Sequence, residues 1–222
     1  MKKTLTLLML VFYFLSFGQE TKNERIYNFD YVLEYENATE DSLGLSKAYV
    51  FVNSKDNSYN LTFSKIRDNG YMKFIHHNIA NMNSTIENDL FFKAETITLD
   101  CNYSFEPANY FKKYSFKIEK DTIIHNDTLK YYSFNRYNKK RKNKTLSHHF
   151  IIQPDTEYIL PFFFITDEYE KWKSSDYLPK GIFRRIYFQD KNNKIVEMDY
   201  RLLSIYKYKK QIILPKKSCA EE

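Results

Sequence analysis

From Tyr27 the chain alternates: Tyr27, Phe29, Tyr31, Leu33 and Tyr35 fall on one side of an extended backbone, and Asn28, Asp30, Glu34 and Glu36 on the other, with Val32 the sole exception. A period of two sends successive side chains to opposite faces, so this run is a strand with one wet face and one face to bury. Such a strand demands neighbours. Ala48 to Asn53 supplies a second, and Ser54, Lys55 and Asp56 lead into alternating Tyr59, Leu61 and Phe63. Asp68-Asn69-Gly70 offers residues that tolerate positive φ, and Tyr71 to His77 returns as the next strand of a meander. The pattern predicts further strands over Phe91 to Leu99, Tyr114 to Glu119, Leu129 to Tyr137, Ser147 to Gln153, Phe183 to Gln189 and Ile195 to Tyr206, with Asp190 to Asn193 as the last hairpin turn. Connections this short suit antiparallel pairing, because a parallel crossover needs a dozen or more residues.

Twenty Tyr and nineteen Phe against one Trp and four Gly make aromatic rings the main buried material, and aromatic residues favour strands. Helices are few. Thr166 or Asp167 can cap one over about Asp167 to Ser174, with Glu170 three residues on and Lys171 and Lys173 near its end. The stretch from Asn78 to Asn88 reads either as a second short helix or as a loop. The expected fold is mainly β: a single antiparallel, curved meander sheet with one or two short helices.

Residues 1–18 have the layout of a signal peptide: Lys2 and Lys3, an apolar run from Leu5 to Leu15 broken by Thr6, then Ser16, Phe17, Gly18 and Gln19. The run is too short to span a bilayer, which takes about 20 residues. Cleavage is expected after Gly18, where Ser16 and Gly18 supply small side chains, leaving residues 19–222 as a single β-rich domain exported to the periplasm or the exterior of a Gram-negative bacterium. Removing Lys2 and Lys3 from the 34 basic residues leaves 32 against 28 acidic ones, a mild and interspersed surplus. That balance excludes the concentrated positive field of a nucleic-acid binder. In an oxidising compartment Cys101 and Cys219 are either a disulfide closing a long loop or two unrelated thiols.

Two adjacent histidine pairs, His76-His77 and His148-His149, invite a metal reading with His125, Asp100 or Cys101. Strand geometry opposes it, since at most one histidine of each pair can reach a common site. No metal or cofactor is expected. Glycine-flanked serines and glycine-rich phosphate loops are absent, and the acidic pairs Asp167-Glu168 and Glu34/Glu36 fit a helix start and a wet strand face; no catalytic residue emerges. Lys139-Lys140-Arg141-Lys142-Asn143-Lys144 reads as a solvated hairpin loop or, with Lys207, Lys209, Lys210, Lys216 and Lys217, as a peripheral contact with an anionic envelope surface. Asn-x-Ser/Thr sequons begin at Asn37, Asn60, Asn83, Asn102, Asn126 and Asn143. Asp41-Ser42-Leu43, Asp121-Thr122-Ile123 and Asp127-Thr128-Leu129 resemble the Asp-Ser/Thr-apolar acceptor pattern of periplasmic O-glycosylation in some Gram-negative bacteria.

The leader ending Ser-Phe-Gly-Gln, the NSKDNSY stretch at Asn53 to Tyr59 and the aromatic meander resemble uncharacterised exported proteins of flavobacterial type over most of the chain. A fainter similarity to the GLPGLI family rests on Leu178-Pro179-Lys180-Gly181-Ile182 followed by a strand, a polar turn and a last strand, although the family's glycine-leucine-proline-glycine run is interrupted here. Neither resemblance brings catalytic residues. A meander of large rings covered by short helices could curl into a half-barrel resembling lipoprotein-carrier folds. Its concavity would be lined by Tyr31, Leu33, Tyr49, Phe51, Leu61 and Phe63, with Pro161 to Phe164 and Trp172 as cover; equally, these rings could be plain core. The leading expectation is a non-enzymatic envelope protein that binds an apolar or lipid-like ligand, or a protein partner. Alternatives are an envelope hydrolase with an irregular site and a structural or adhesive surface protein.

Overall fold

The computed structural model describes residues 24–38, 47–99, 103–104, 113–136 and 146–215. The leader, Ser42, Cys101, Cys219 and the Lys139–Lys144 run lie outside these residues. The first part of the chain gives β1 (Glu24–Asn37), β2 (Lys47–Val52), β3 (Tyr59–Ile66), β4 (Asn69–His76), β5 (Ala80–Glu87), helix α1 (Asn88–Lys93), β6 (Thr96–Thr98) and β7 (Tyr103–Ser104). The second part gives β8 (Tyr114–Ile118), β9 (Thr122–Ile124), β10 (Asp127–Leu129), β11 (Tyr131–Arg136), β12 (Ser147–Ile152), helix α2 (Thr166–Lys173), β13 (Phe183–Gln189) and β14 (Ile195–Pro215). Neither helix is long and apolar enough to cross a membrane.

The fold is mainly β and the large sheet is antiparallel, in the order β7-β5-β4-β3-β2-β1-β14-β13-β12-β11-β8; β6 alone joins in parallel, alongside β14. The path walks from β1 outward to one edge, re-enters at the other and returns to the middle. β1 and β14 are therefore neighbours, and the sheet stays open between β7 and β8. β9 and β10 form a separate hairpin.

Several boundaries differ from the sequence expectation. Asn78 to Asn88 is mostly strand β5, because Ala80 and Met82 alternate into the core on a backbone paired with β4. Phe91 to Leu99 is not one strand. Its start is helical, with Asp89 in the first turn ion-paired to Lys93 four residues on and Phe91 buried. The β3–β4 turn uses Arg67, at φ 56°, and leaves Asn69 and Gly70 inside β4. β14 runs nine residues past Tyr206, to Pro215.

Two aromatic cores result. Leu33, Tyr35, Val50, Phe134, Phe150, Phe162, Phe163 and Phe183 belong to the first, and Tyr27, Phe29, Phe51, Leu61, Phe63, Phe74 and Phe91 to the second. β2 feeds both by alternation, with Ala48, Val50 and Val52 in the first and Phe51 in the second. β1 also feeds both: at a register shift between Phe29 and Tyr31, where β14 carries an extra residue, its odd-numbered residues change from the second core to the first, and Val32 faces the second. There Asp30 accepts hydrogen bonds from the Ser54 amide (2.7 Å) and hydroxyl (2.5 Å). The NSKDNSY stretch thus ties the β2–β3 loop to the bend of β1, and its Asn57 side chain donates to the Pro161 carbonyl at 2.7 Å.

The second core rests on one small residue. A Cβ on Gly70 would lie 1.9 Å from the Phe63 ring, which stacks on Phe91 at 3.8 Å. Gly70→Ala must displace a ring locked between strand and helix, and overpacking of this kind costs about 3 kcal/mol. Urea unfolding of the variant is expected to show that loss, and Phe63→Leu in the same chain should restore part of it.

Candidate functional site

β5 and β6 splay apart across a cleft of about 200 Å³ lined by Met72, Met82, Asn83, Ser84, Thr85, Ile86, Ile97, Thr98 and Leu99. Met72, Met82, Ile97 and Leu99 are buried and make an apolar floor. Asn83, Ser84, Thr85 and Thr98 are exposed and make a polar lip without a charge. The far wall is set by β6, whose Thr96, Ile97 and Thr98 register with Gln211, Ile212 and Ile213 of β14. Helix α1 bridges the two walls. Its C-terminal carbonyls are captured from β14: Lys210 Nζ donates to Phe91 O (2.7 Å) and Ala94 O (2.6 Å), and the Tyr208 hydroxyl to Phe92 O (2.7 Å). Lys210 is 2% exposed and lies 4.4 Å from the centre of the Phe91 ring, and burial pushes its ammonium down to about 8.

The expected lining residues are divided between the two cores. Tyr31, Leu33 and Trp172 lie in or against the first, with Phe162 and Phe163 buried there. Phe51, Leu61 and Phe63 are buried in the second, with Tyr49 packed against it. They do not line one concavity. The cleft opens at the margin of the second core, beside methionines that sequence reasoning passed over; two of the three methionines after residue 18 line it, a soft pair in a chain otherwise filled with rigid rings.

The histidines separate by face. His76 meets the Tyr27 hydroxyl at 2.9 Å, while His77, next in sequence, stacks on Tyr169 of α2 at 4.4 Å and reaches Thr166 at 3.3 Å. Asn78 donates to Glu170 at 2.6 Å, so the β4–β5 turn grips α2 twice. From β12, in the other arm of the sheet, His148 hydrogen-bonds Glu168 in full burial, where desolvation pushes the Glu168 carboxyl up against the opposing pull of His148. His149 faces outward from the first core, stacked on Tyr187 at 4.7 Å, with one ring nitrogen on the Tyr131 hydroxyl and the other 2.9 Å from Ser147 Oγ. Among the described residues no three metal-ligating side chains converge.

Ser147, His149 and Tyr131 contain the elements of a relay but not its working form. Burial holds His149 down to about 4, too weak a base at neutral pH. The row continues as structure: Arg185 lies 4.6 Å over the Tyr187 ring and forks onto Asp199 at 2.7 and 2.9 Å.

No family model and no curated protein matches the chain. Among solved structures, a crystal structure described as an outer membrane lipoprotein-sorting protein domain from Vibrio parahaemolyticus aligns over 85% of this chain and 87% of that one, at 13% identity and a TM-score of 0.29. A likeness that loose bears on neither fold nor function.

The buried imidazole of His149 makes stability depend on pH. Unfolded, it takes a proton near its ordinary 6.5; folded, it resists down to about 4, so between those values the unfolded state binds more protons and stability falls as pH falls. His149→Gln lacks this linkage. The stability gap between wild type and variant, read by denaturant titration, should narrow by roughly 2 to 3 kcal/mol from pH 7 to pH 4.

Proposed function

We propose that this chain is an exported cell-envelope protein, without a catalytic role, that binds an apolar or amphipathic ligand at the β5–β6 cleft. The observation behind this reading is a cleft with an apolar floor and an uncharged polar lip, set at the margin of the second core. Met72, Met82, Ile97 and Leu99 are nearly buried, and an apolar group that replaces water against the little surface they leave to the cleft gains about 25 cal/mol per Å² covered. Flexible thioethers adapt to chains of differing shape. The volume is below the ~300 Å³ at which pockets begin to enclose a drug-sized molecule, which favours the end of an acyl or similar chain over a whole lipid. The lip offers hydroxyls and an amide to a neutral or weakly polar head, and no counter-charge for an anion. The leader's layout supplies the compartment in which such ligands are found.

Native mass spectrometry with organic extraction tests this on the chain from Gln19 onward, purified from envelope extract. A co-purifying apolar molecule at one per chain is expected, and Met82→Trp, which fills the floor, should lower its occupancy at least tenfold, whereas Tyr31→Ala, on the first core, should not. Bare protein after exposure to envelope lipids, or occupancy indifferent to Met82→Trp, would overturn the reading.

A further inference from the structure

Three short stretches carry the Asp-Ser/Thr-apolar pattern, and two of them, Asp121-Thr122-Ile123 and Asp127-Thr128-Leu129, form the opposite strands of one hairpin, β9 and β10. The hairpin is paired only within itself, apart from the large sheet. His125 and Asn126 make its two-residue turn, at φ 49° and 71°, the paired left-handed conformation that a tight hairpin of matching twist requires. Register then decides what the sequence leaves equal. Thr128 pairs with Ile123, and Leu129 with Thr122, so each threonine shares a face with the apolar residue of the other strand. Leu129 is 3% exposed and turns the Thr122 face toward the body of the protein, where Thr122 is half-buried. On the outer face Thr128 is exposed and Ile123 is 71% exposed. The same preference would not follow from the aspartates: Asp121 and Asp127 are both exposed, although Asp121 is also held by Lys130 at 2.7 Å.

We propose that Thr128 is an O-glycosylation site and that Thr122, with the same local sequence, is not. The acceptor oxygen must reach the anomeric carbon of a donor held in a transferase, and the folded hairpin presents only the Thr128 hydroxyl outward. In the transfer, Thr128 Oγ forms the new bond to the anomeric carbon, the bond from that carbon to the phosphate of a polyprenyl-diphosphate-linked glycan breaks, the hydroxyl proton passes to a base of the transferase, and the lipid diphosphate leaves. A bulky, hydrated sugar on this outer face covers Ile123 without entering either core, which is where a surface modification is tolerated. The inference rests on export, because donor and transferase of this type act outside the cytoplasm.

The test uses the full chain with its leader, expressed in a Gram-negative host that glycosylates a control protein bearing the same acceptor pattern. Cell fractionation, intact mass and fragmentation of the peptide spanning 113–136 are read together. The envelope-fraction chain should lack its leader, exceed its sequence mass by a discrete glycan, and carry it on Thr128. Thr128→Ala and Asp127→Asn should abolish the glycan on that peptide, and Thr122→Ala and Asn126→Gln should retain it, each variant keeping the wild-type circular dichroism. An exported, leaderless chain at its bare mass overturns the site while leaving export intact. Glycan on Thr122 overturns the register argument, and glycan lost in Asn126→Gln but kept in Asp127→Asn shows amide-linked sugar at Asn126 instead. A chain retained in the cytoplasm with its leader refutes export and the site together.

Discussion

The antiparallel ladder between β1 and β14 is the constraint from which the remaining structure follows. It runs from Glu24 opposite Pro215 to Asn37 opposite Tyr200, joining the first described strand to the last at the middle of the sheet. Everything else hangs from its two sides: β2 to β5 from β1, and β13 to β11 from β14. The two places where β14 carries an extra residue, opposite Asp30 and near Glu34, bend this ribbon, and across the first the odd-numbered residues of β1 pass from the second core to the first, while Val32 takes over the second. A straight ladder would leave Tyr27 and Phe29 without the rings of Tyr59 and Phe51 that they now meet edge-on at 5.0 and 6.5 Å.

Much of the sheet was legible because alternation and turn residues agreed. Phe183 to Gln189 is a strand to the residue, closed by Asp190, whose carboxylate accepts from the Asn192 and Lys194 amides, and by Asn193 at φ 61°. α2 forms within a residue of its expected span, but it starts at Thr166 behind Ile165, so neither Thr166 nor Asp167 caps it, and the acidic first turn of Asp167 and Glu168 is what the sequence rightly showed. α1 was hidden because Phe91 and Phe92 are residues a strand would choose; the helix forms because it splits them, Phe91 beneath Phe63 and Phe92 against Tyr49 at 5.2 Å. β5 was hidden for the opposite reason, a polar run of Asn, Ser and Thr that pairs through its backbone alone over much of its length. The end of β14 was obscured by Lys207, Lys209 and Lys210, although Tyr208, Ile212 and Leu214 maintain the period through the last of them.

The cleft was illegible for a related reason. An alternating pattern says which side chains leave water, not whether the strands that hold them stay together. Leu33, Phe51, Leu61 and Phe63 are buried, but β1 registers on β2 with Leu33 opposite Val50 and Tyr31 opposite Val52, so Tyr31 and Leu33 share one face and Tyr49, Phe51, Leu61 and Phe63 the other. Met72 and Met82 alternate just as well, but their exposure to the cleft depends on β6 being drawn away to β14 by long-range pairing that no local signal announces. The face of the β9–β10 hairpin is similarly a matter of register, settled by the burial of Leu129 alone.

Lys210 adds a property of a different kind. Its amine is walled in by Phe51, Phe91 and Tyr208 and bound to two helix carbonyls, so an acylating reagent cannot reach it until α1 lifts from β14. Among the described residues every other lysine except Lys73 is exposed and open to such a reagent. The slow labelling of this one amine is therefore a clock built into the molecule, whose rate reports how often the wall of the cleft comes loose while the rest of the sheet holds.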